Sequence, residues 1–302
     1  MAAAAPLIAH VANCLVIGEE PIDLGGGAWF RGLVRLTLDG QAVELRQQQW
    51  VVHGTSWSDL RGEWRYTTDL YVDGVTEAAR DGVIQICERL AELLGFATAS
   101  EVVVFGWEHA AGSPVAYKRS TLGEINYFIP VVNTRDGDAV RLFVERTWAG
   151  FVRERDRRKL PAVFHYLALA EREGTPLELK LAILFIVLEQ LKHSFAVSNG
   201  YVFIRPRSHV PGTATPTRGS GRGFEALLRE MFAAAGMAPA LSTVVELRNE
   251  ILHSGLSDRP FRELATIRGD TLMLIREYLL RLLGYSGVFF TGQEGGVDAT
   301  IT

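Results

Sequence analysis

Val244 to Gly255 reads VVELRNEILHSG, and its spacing predicts one amphipathic helix. Val244, Val245, Leu247, Ile251 and Leu252 recur at helical period and form the stripe that a bundle would bury. Thr243 is expected to cap the start, with Glu246 three residues on completing a capping box. Gly255 stands where a left-handed turn would end the helix. Asn249 and His253 are four apart and therefore share a face. Arg248 lies about 100° round from Asn249 at 3.6 residues per turn, yet its long side chain reaches toward the same place. His253 falls in the last turn, where the carbonyl ends favour a protonated imidazole.

These residue types suit phosphodiester chemistry. A guanidinium keeps its charge and forks onto phosphate oxygens, steadying charge that builds in a transition state. An imidazole moves protons near neutral pH. A carboxamide donates to a phosphate oxygen, or to the imidazole and so fixes its tautomer. RNA needs no metal for this, because its own 2′-hydroxyl attacks the adjacent phosphorus. An ordinary solvated helix, with Arg248 and His253 pairing locally with Glu246 or Glu250, fits the same spacing.

Arg248-Asn249-x-x-x-His253 resembles the RNxxxH signature of HEPN domains, small helical bundles often found as ribonucleases. LELKLAILFIVLEQL (177–191) resembles the long first core helix of the Apea-like HEPN branch, with its aliphatic run ending in Leu-Glu. TLMLIREYLLRLLGYSGVF (271–289) resembles that branch's closing helix and its Leu-Gly-Tyr ending. The resemblance covers roughly residues 141–290. It implies a metal-independent endoribonuclease cutting single-stranded or looped RNA, with Arg248, Asn249 and His253 catalytic, in a toxin or anti-phage (antiviral) defence setting. It also implies a homodimer through the helical bundle, with both motifs facing one cleft, and admits a neutralising or trigger partner. A non-catalytic HEPN module that binds RNA or protein is the other reading.

The 302 residues suffice for two domains. A 48% hydrophobic and 22% charged composition suits a globular chain with a core. The net charge of −4 gives no global pull toward nucleic acid, so RNA contact requires a local patch. Cys14 and Cys87 lack metal-type spacing, which points to a reducing cytoplasm, no disulfide and no metal or cofactor. MAAAAPLIAHVANCLVIG has no basic region and reads as no signal peptide. The apolar run Leu181–Leu188, bracketed by Lys180 and Glu189, falls short of the roughly 20 residues a bilayer needs. It reads as a helix buried on all sides, and no membrane contact is expected.

The fold class expected is α+β: an N-terminal mixed α/β domain with antiparallel strands (1–136), given a sensor or regulatory role by position alone, then an all-α HEPN-like bundle (137–290) and a frayed tail (291–302). Val34, Leu36 and Leu38 alternate with polar residues as in a half-buried strand, and Asp39-Gly40 predicts a hairpin turn. Trp50-Val51-Val52, Trp64 to Val72, Glu101 to Phe105 and Gly123 to Val132 are further strand expectations. Gly25-Gly26-Gly27 reads as a loop and not a phosphate cradle, since no helix start follows. Residues 76–94 have helical spacing with Gly95 as the stop. His53, Glu108 and His109 read as structural or surface groups. Asn133 to Asp138 is the expected boundary. Arg153 to Lys159 reads as a solvated helix face in preference to a nucleic-acid patch. Thr175-Pro176-Leu177-Glu178 reads as a helix start with Thr as the cap. The segment RPRSHVPGTATPTRGSGRG (205–223) holds Arg205, Arg207, Arg218 and Arg222 with no acidic residue inside it. It reads as a surface loop, or as a basic arm that clamps RNA.

Overall fold

The computed structural model describes residues 4–53, 56–110, 113–117, 123–126, 129–204, 207–210, 221–291 and 298–301. Its contacts divide into two compact units, one of Met1–Phe151, Glu171–Glu173 and Tyr285–Thr302, the other of Val152–Ala170 and Gly174–Gly284. The expected boundary at 136–137 coincides with the start of helix α3 (Gly137–Glu154), and the units part within that helix, after Phe151.

The first unit is built on a seven-stranded antiparallel sheet. Its strands are β1 (Ala5–Ala12), β2 (Glu20–Gly25), β3 (Ala28–Leu38), β4 (Gln41–Gln47), β5 (Tyr66–Val75), β6 (Val103–His109) and β7 (Ala116–Tyr117), in the order β2-β3-β4-β5-β1-β6-β7. The alternation around Val34 forms β3 as expected, with Val34, Leu36 and Leu38 buried. Asp39 and Gly40 both adopt positive φ, as a two-residue hairpin with primed turn geometry requires, and Leu38 pairs with Gln41. Gly25, Gly26 and Gly27 turn the chain from β2 into β3, also at positive φ. Helix α2 (Arg80–Thr98) lies across β1, β5 and β6, burying Val83, Cys87, Leu90 and Leu94. Leu7, Ala9 and Val11 of β1 are fully buried, while Ile8 and His10 point to the opposite face.

Four local expectations in this unit are corrected. Gly95 does not stop α2, which runs on to a left-handed Ala99. A Cβ at Gly95 would lie 3.1 Å from the Ser100 carbonyl oxygen, so the glycine admits the returning chain. Trp50-Val51-Val52 is not a strand but part of a short helix α1 (Gln49–Val52), which carries Val51 into a cluster with Leu15, Trp57, Leu60 and Ile125. Among the described residues of 123–132 there is no strand. Their backbone groups pair singly with loops, Ile125 N–H to Glu63 and Val131 N–H to Ala97. The described part of the expected tail, β11 (Asp298–Ile301), pairs with β10 (Gly287–Phe290) and buries Ile301.

The second unit is helical. Helices α4 (Leu160–Glu171), α5 (Leu177–Ser198), α6 (Phe224–Ala234), α7 (Ser242–Ser254) and α8 (Phe261–Leu282) follow one another, with a small hairpin of β8 (Val202–Ile204) and β9 (Arg207–His209). Helix α5 packs against α6, α7 and α8. It buries Leu181, Leu184, Phe185, Val187, Leu188 and Leu191. It is not buried on all sides, however, for Leu179, Ile186 and Val197 are exposed. By length and composition α5 is the one helix among the described residues apolar enough to cross a membrane, with half of that window buried within the protein.

Further corrections concern ends and charges. Pro176, not Thr175, is the N-cap of α5, and neither α5 nor α7 has a side-chain cap bond. Thr243 lies inside α7, because the helix starts one residue earlier, beyond the fully buried Leu241. Gly255 does end α7, at φ +79°, with its N–H bonded to the Ile251 carbonyl at 2.8 Å. Arg153 to Lys159 is not a solvated helix face. Glu154 is buried and draws Arg153, Arg157 and Arg158 to it at 3.1, 3.6 and 3.3 Å, and the chain turns over residues 155–159 into α4.

Candidate functional site

The three residues of the α7 motif sit on the last two turns of the helix, opposite the buried Val244, Leu247 and Ile251. Asn249 and His253 are exposed, and Arg248 is half-buried. The guanidinium of Arg248 is held from three directions. Its Nη2 donates to Glu189 Oε1 of α5 at 2.5 Å, and its Nη1 donates to Asn249 Oδ1 at 2.8 Å. Its plane lies 4.7 Å from the centre of the Phe224 ring, at the first residue of α6. Lys192, one turn along α5 from Glu189, bonds the same carboxylate at 2.6 Å and approaches the same ring at 5.1 Å. Two cations, one carboxylate and one ring therefore meet where α5, α6 and α7 converge. Arg248 Nε is buried without a partner among the described residues.

Local pairing of Arg248 with Glu246 or Glu250 does not occur. Those carboxylates instead hold Arg259, Glu250 at 3.1 Å and Glu246 at 3.8 Å. A hydrogen bond from Ser257, followed by Arg259, keeps the Glu250 carboxyl below the usual carboxylate range. These bonds tie the turn after α7 to the motif helix. Asn249 spends its carbonyl oxygen on Arg248, not on fixing the imidazole tautomer, and leaves its NH₂ group outward. His253 has no hydrogen-bond partner among the described residues and faces solvent.

The expected basic arm is only partly in view, since Arg205 and Arg218 lie outside the described residues. Arg207 and Arg222 are brought together by a bridge between Ser208 and Arg222, whose backbone groups bond each other in both directions. The segment has no carboxylate of its own, but the fold supplies one. Glu230 of α6 takes Arg222 at 2.6 Å and the Tyr201 hydroxyl at 2.6 Å. Ser208 and His209 are buried, so this stretch is not wholly a solvated loop.

Sequence reasoning passes over Glu189, Lys192 and Phe224. The i, i+3 spacing of Glu189 and Lys192 at the end of an apolar run was the available signal. It also passes over a polar cluster on the face of the sheet away from α2. Asp69 of β5 accepts from His10 Nδ1 at 2.7 Å, from the Tyr66 hydroxyl at 2.5 Å and from Gln48 Nε2 at 3.0 Å. The hydrogen bond to Asp69 raises the imidazole of His10 above its ordinary value, and burial followed by Asp69 raises the Tyr66 phenol. No sequence pattern links residues 59 apart; only the β1–β5 register does, which sets His10 opposite Asp69. Asp69→Asn is expected to lower the His10 titration toward 6.5, followed by NMR of the imidazole protons. Because the folded value is raised, the stabilisation is full below the ordinary value and fades as pH rises through the folded one. A wild-type His10 that titrates no higher than the variant's would contradict the pairing.

Cys14 and Cys87 are free and buried, and burial pushes each thiol up to about 12, so neither is a nucleophile near neutral pH. No cluster of three or more metal-ligating side chains occurs among the described residues. Comparison of the chain with protein-family models, with curated proteins and with solved structures finds no match to any of them.

Proposed function

We propose that the chain is a HEPN-type, metal-independent endoribonuclease acting on single-stranded or looped RNA, with its chemistry at Arg248, Asn249 and His253. The observation that carries this reading is the division of labour on α7: an immobilised guanidinium beside an exposed amide and an exposed imidazole with no partner among the described residues. In the proposed reaction the 2′-oxygen forms a bond to phosphorus and the bond from phosphorus to the 5′-oxygen breaks. The products are a 2′,3′-cyclic phosphate and a free 5′-hydroxyl. His253 takes the proton from the 2′-hydroxyl or gives one to the leaving oxygen, Arg248 compensates charge on the phosphoryl oxygens, and the Asn249 NH₂ orients the phosphate. Flexible strands suit this because in-line attack needs an unstacked backbone.

One helix offers one imidazole, whereas the reaction gains from both an acid and a base. A homodimer about a two-fold axis beside α7 supplies the second. Leu252, Leu256 and Phe261 support that assembly, for all three are large, apolar and exposed just beyond or beside His253. Light scattering on the eluting protein is expected to give twice the monomer mass of 33.3 kDa; a monomer at micromolar concentration would argue against the shared cleft. The reaction itself is tested by incubating end-labelled single-stranded RNA with the protein in EDTA. Cleavage leaving cyclic phosphate ends supports the proposal, and intact RNA across several sequences removes it.

A second reading has its own observation. The guanidinium is already neutralised by Glu189 and stacked on Phe224, as in a residue that knits three helices together. On this reading the helical unit binds RNA or a protein partner without cutting. A toxin or defence setting, and a regulatory role for the first unit, belong to the proposal through the HEPN resemblance alone.

A further inference from the structure

On the first unit, Trp50, Leu60, Trp64, Arg65 and Tyr66 line an open cleft of about 690 Å³, within the range of about 300–1,000 Å³ usual for small-ligand sites. The cleft is built from α1, the segment between α1 and β5, and the start of β5, and three aromatic side chains form its walls. These walls are braced. Phe105 of β6 meets Trp64 and Tyr66 edge-on at 5.2 and 5.3 Å between ring centres, and His10 at a shallow tilt at 5.9 Å. Tyr66 is pinned further through its hydroxyl to Asp69.

The hydrogen-bond inventory of the cleft narrows what it can hold. Trp50 and Trp64 bring indole N–H groups that have no partner among the described residues. Arg65 engages Glu63 through Nε alone at 2.6 Å, which leaves four guanidinium N–H groups, on a pair exposed enough to be exchanged readily. His10, beyond Tyr66, offers Nε2 while Nδ1 is held by Asp69. Acceptors are scarce by comparison. Asp69 already holds three donors, two on Oδ1 and one on Oδ2, and does not line the cleft. Glu108 of β6, opposite Ile8, acts through its charge on His10 and Tyr66 but is not among the residues that line the cleft. A sugar ring needs acceptors for its hydroxyls, and a quaternary ammonium needs an unpaired carboxylate beside the rings. Among the described residues that line the cleft there is no carboxylate, and the nearby Glu63 is taken by Arg65. Flat π-faces with surplus donors fit a planar ligand rich in acceptors and carrying an anion.

We propose that this cleft binds a nucleotide, its base stacked on Trp64 and Trp50 and its phosphate on Arg65. The proposal stands apart from the nuclease reading, since it uses residues of the first unit only and invokes no cleavage. The nucleotide is either free or part of a single strand, and the chemistry recognised is the same.

The test is calorimetric titration of the full chain with adenosine, guanosine, cytidine and uridine monophosphates, with adenosine, ribose 5-phosphate, glucose and choline as comparisons. At least one monophosphate is expected to bind, and Trp64→Ala to weaken it about 5- to 150-fold, the span of one lost base stack. Trp64→Phe keeps a ring against Phe105 and is expected to retain most of the binding, which separates lost stacking from a damaged fold. Arg65→Met is expected to weaken the monophosphate but not adenosine. Trp29→Ala, an exposed indole on β3, is expected to change nothing. A hexamer of deoxyadenylate has no 2′-hydroxyl and cannot be cut by the proposed chemistry. If it binds more tightly than the monomer the natural ligand is a strand, and if equally, a free nucleotide. Binding by no monophosphate at millimolar concentration, binding indifferent to Trp64→Ala, or preference for glucose or choline overturns the proposal.

Discussion

Replacing His253 with alanine is expected to cut the rate of RNA cleavage in EDTA by about 10²–10⁴-fold, the usual worth of one positioned proton-transfer group. The side chain is exposed and bonds to no described residue, so its removal leaves no buried group unsatisfied. Stability should therefore stay within about 0.5 kcal/mol of wild type, as for other surface substitutions. Activity and folding are thus read separately: a thermal melt checks the second while gel analysis of labelled RNA reads the first. Arg248→Ala is a less clean probe, because it leaves Glu189 with Lys192 alone and removes the ring contact with Phe224. Equal cleavage by wild type and His253→Ala would remove the proposed chemistry from α7. Persisting cleavage would then have to come from a different group or from a contaminant.

Phe185→Ala is expected to destabilise the second unit by about 3–5 kcal/mol, while Ile186→Ala costs about 0.5 kcal/mol or less. The two residues are neighbours in one apolar run, and a hydropathy pattern treats them alike. Phe185 is wholly buried where α5 meets the other helices, so truncation opens a cavity in close-packed surroundings. Ile186 points away and is 45% exposed, so little burial is lost. Urea denaturation followed by helical circular dichroism measures both. Equal losses for the two variants would mean that α5 is surrounded after all, or that its exposed stripe is covered in solution by another copy. Repeating the measurement over a range of protein concentrations separates those outcomes, since only association makes stability concentration-dependent.

Much of the architecture was legible from period alone. The alternation around Val34 with Asp39-Gly40 after it specified a hairpin, because two adjacent positive φ angles suit few residue pairs. The helical spacing of α2, α5, α7 and α8 was likewise readable, as was the division into an antiparallel sheet and a set of helices. Errors gathered where a short segment answered to a tertiary demand. Trp50 to Val52 has strand composition but coils to bring Val51 into the Leu15 and Trp57 cluster. Gly95 has stop composition but sits inside the last turn of α2, where Ser100 passes close by.

The candidate site divides along the same line. Arg248, Asn249 and His253 are placed on one short helix by i, i+4 geometry, and spacing in the chain suffices to see it. That Glu189 rather than Glu246 or Glu250 neutralises Arg248, and that Phe224 backs it, depends on how α5, α6 and α7 pack. The His10, Asp69 and Tyr66 cluster depends on strand register, which a one-residue slip would turn to the other face. Sequence by itself determined the longer elements, their order and the chemical kinds of side chain on offer, because helical and strand periods and turn conformations are local properties. Only the tertiary structure decided which charges are paired and which are left for a ligand, because ion pairs, ring contacts and clefts join residues that no local rule relates.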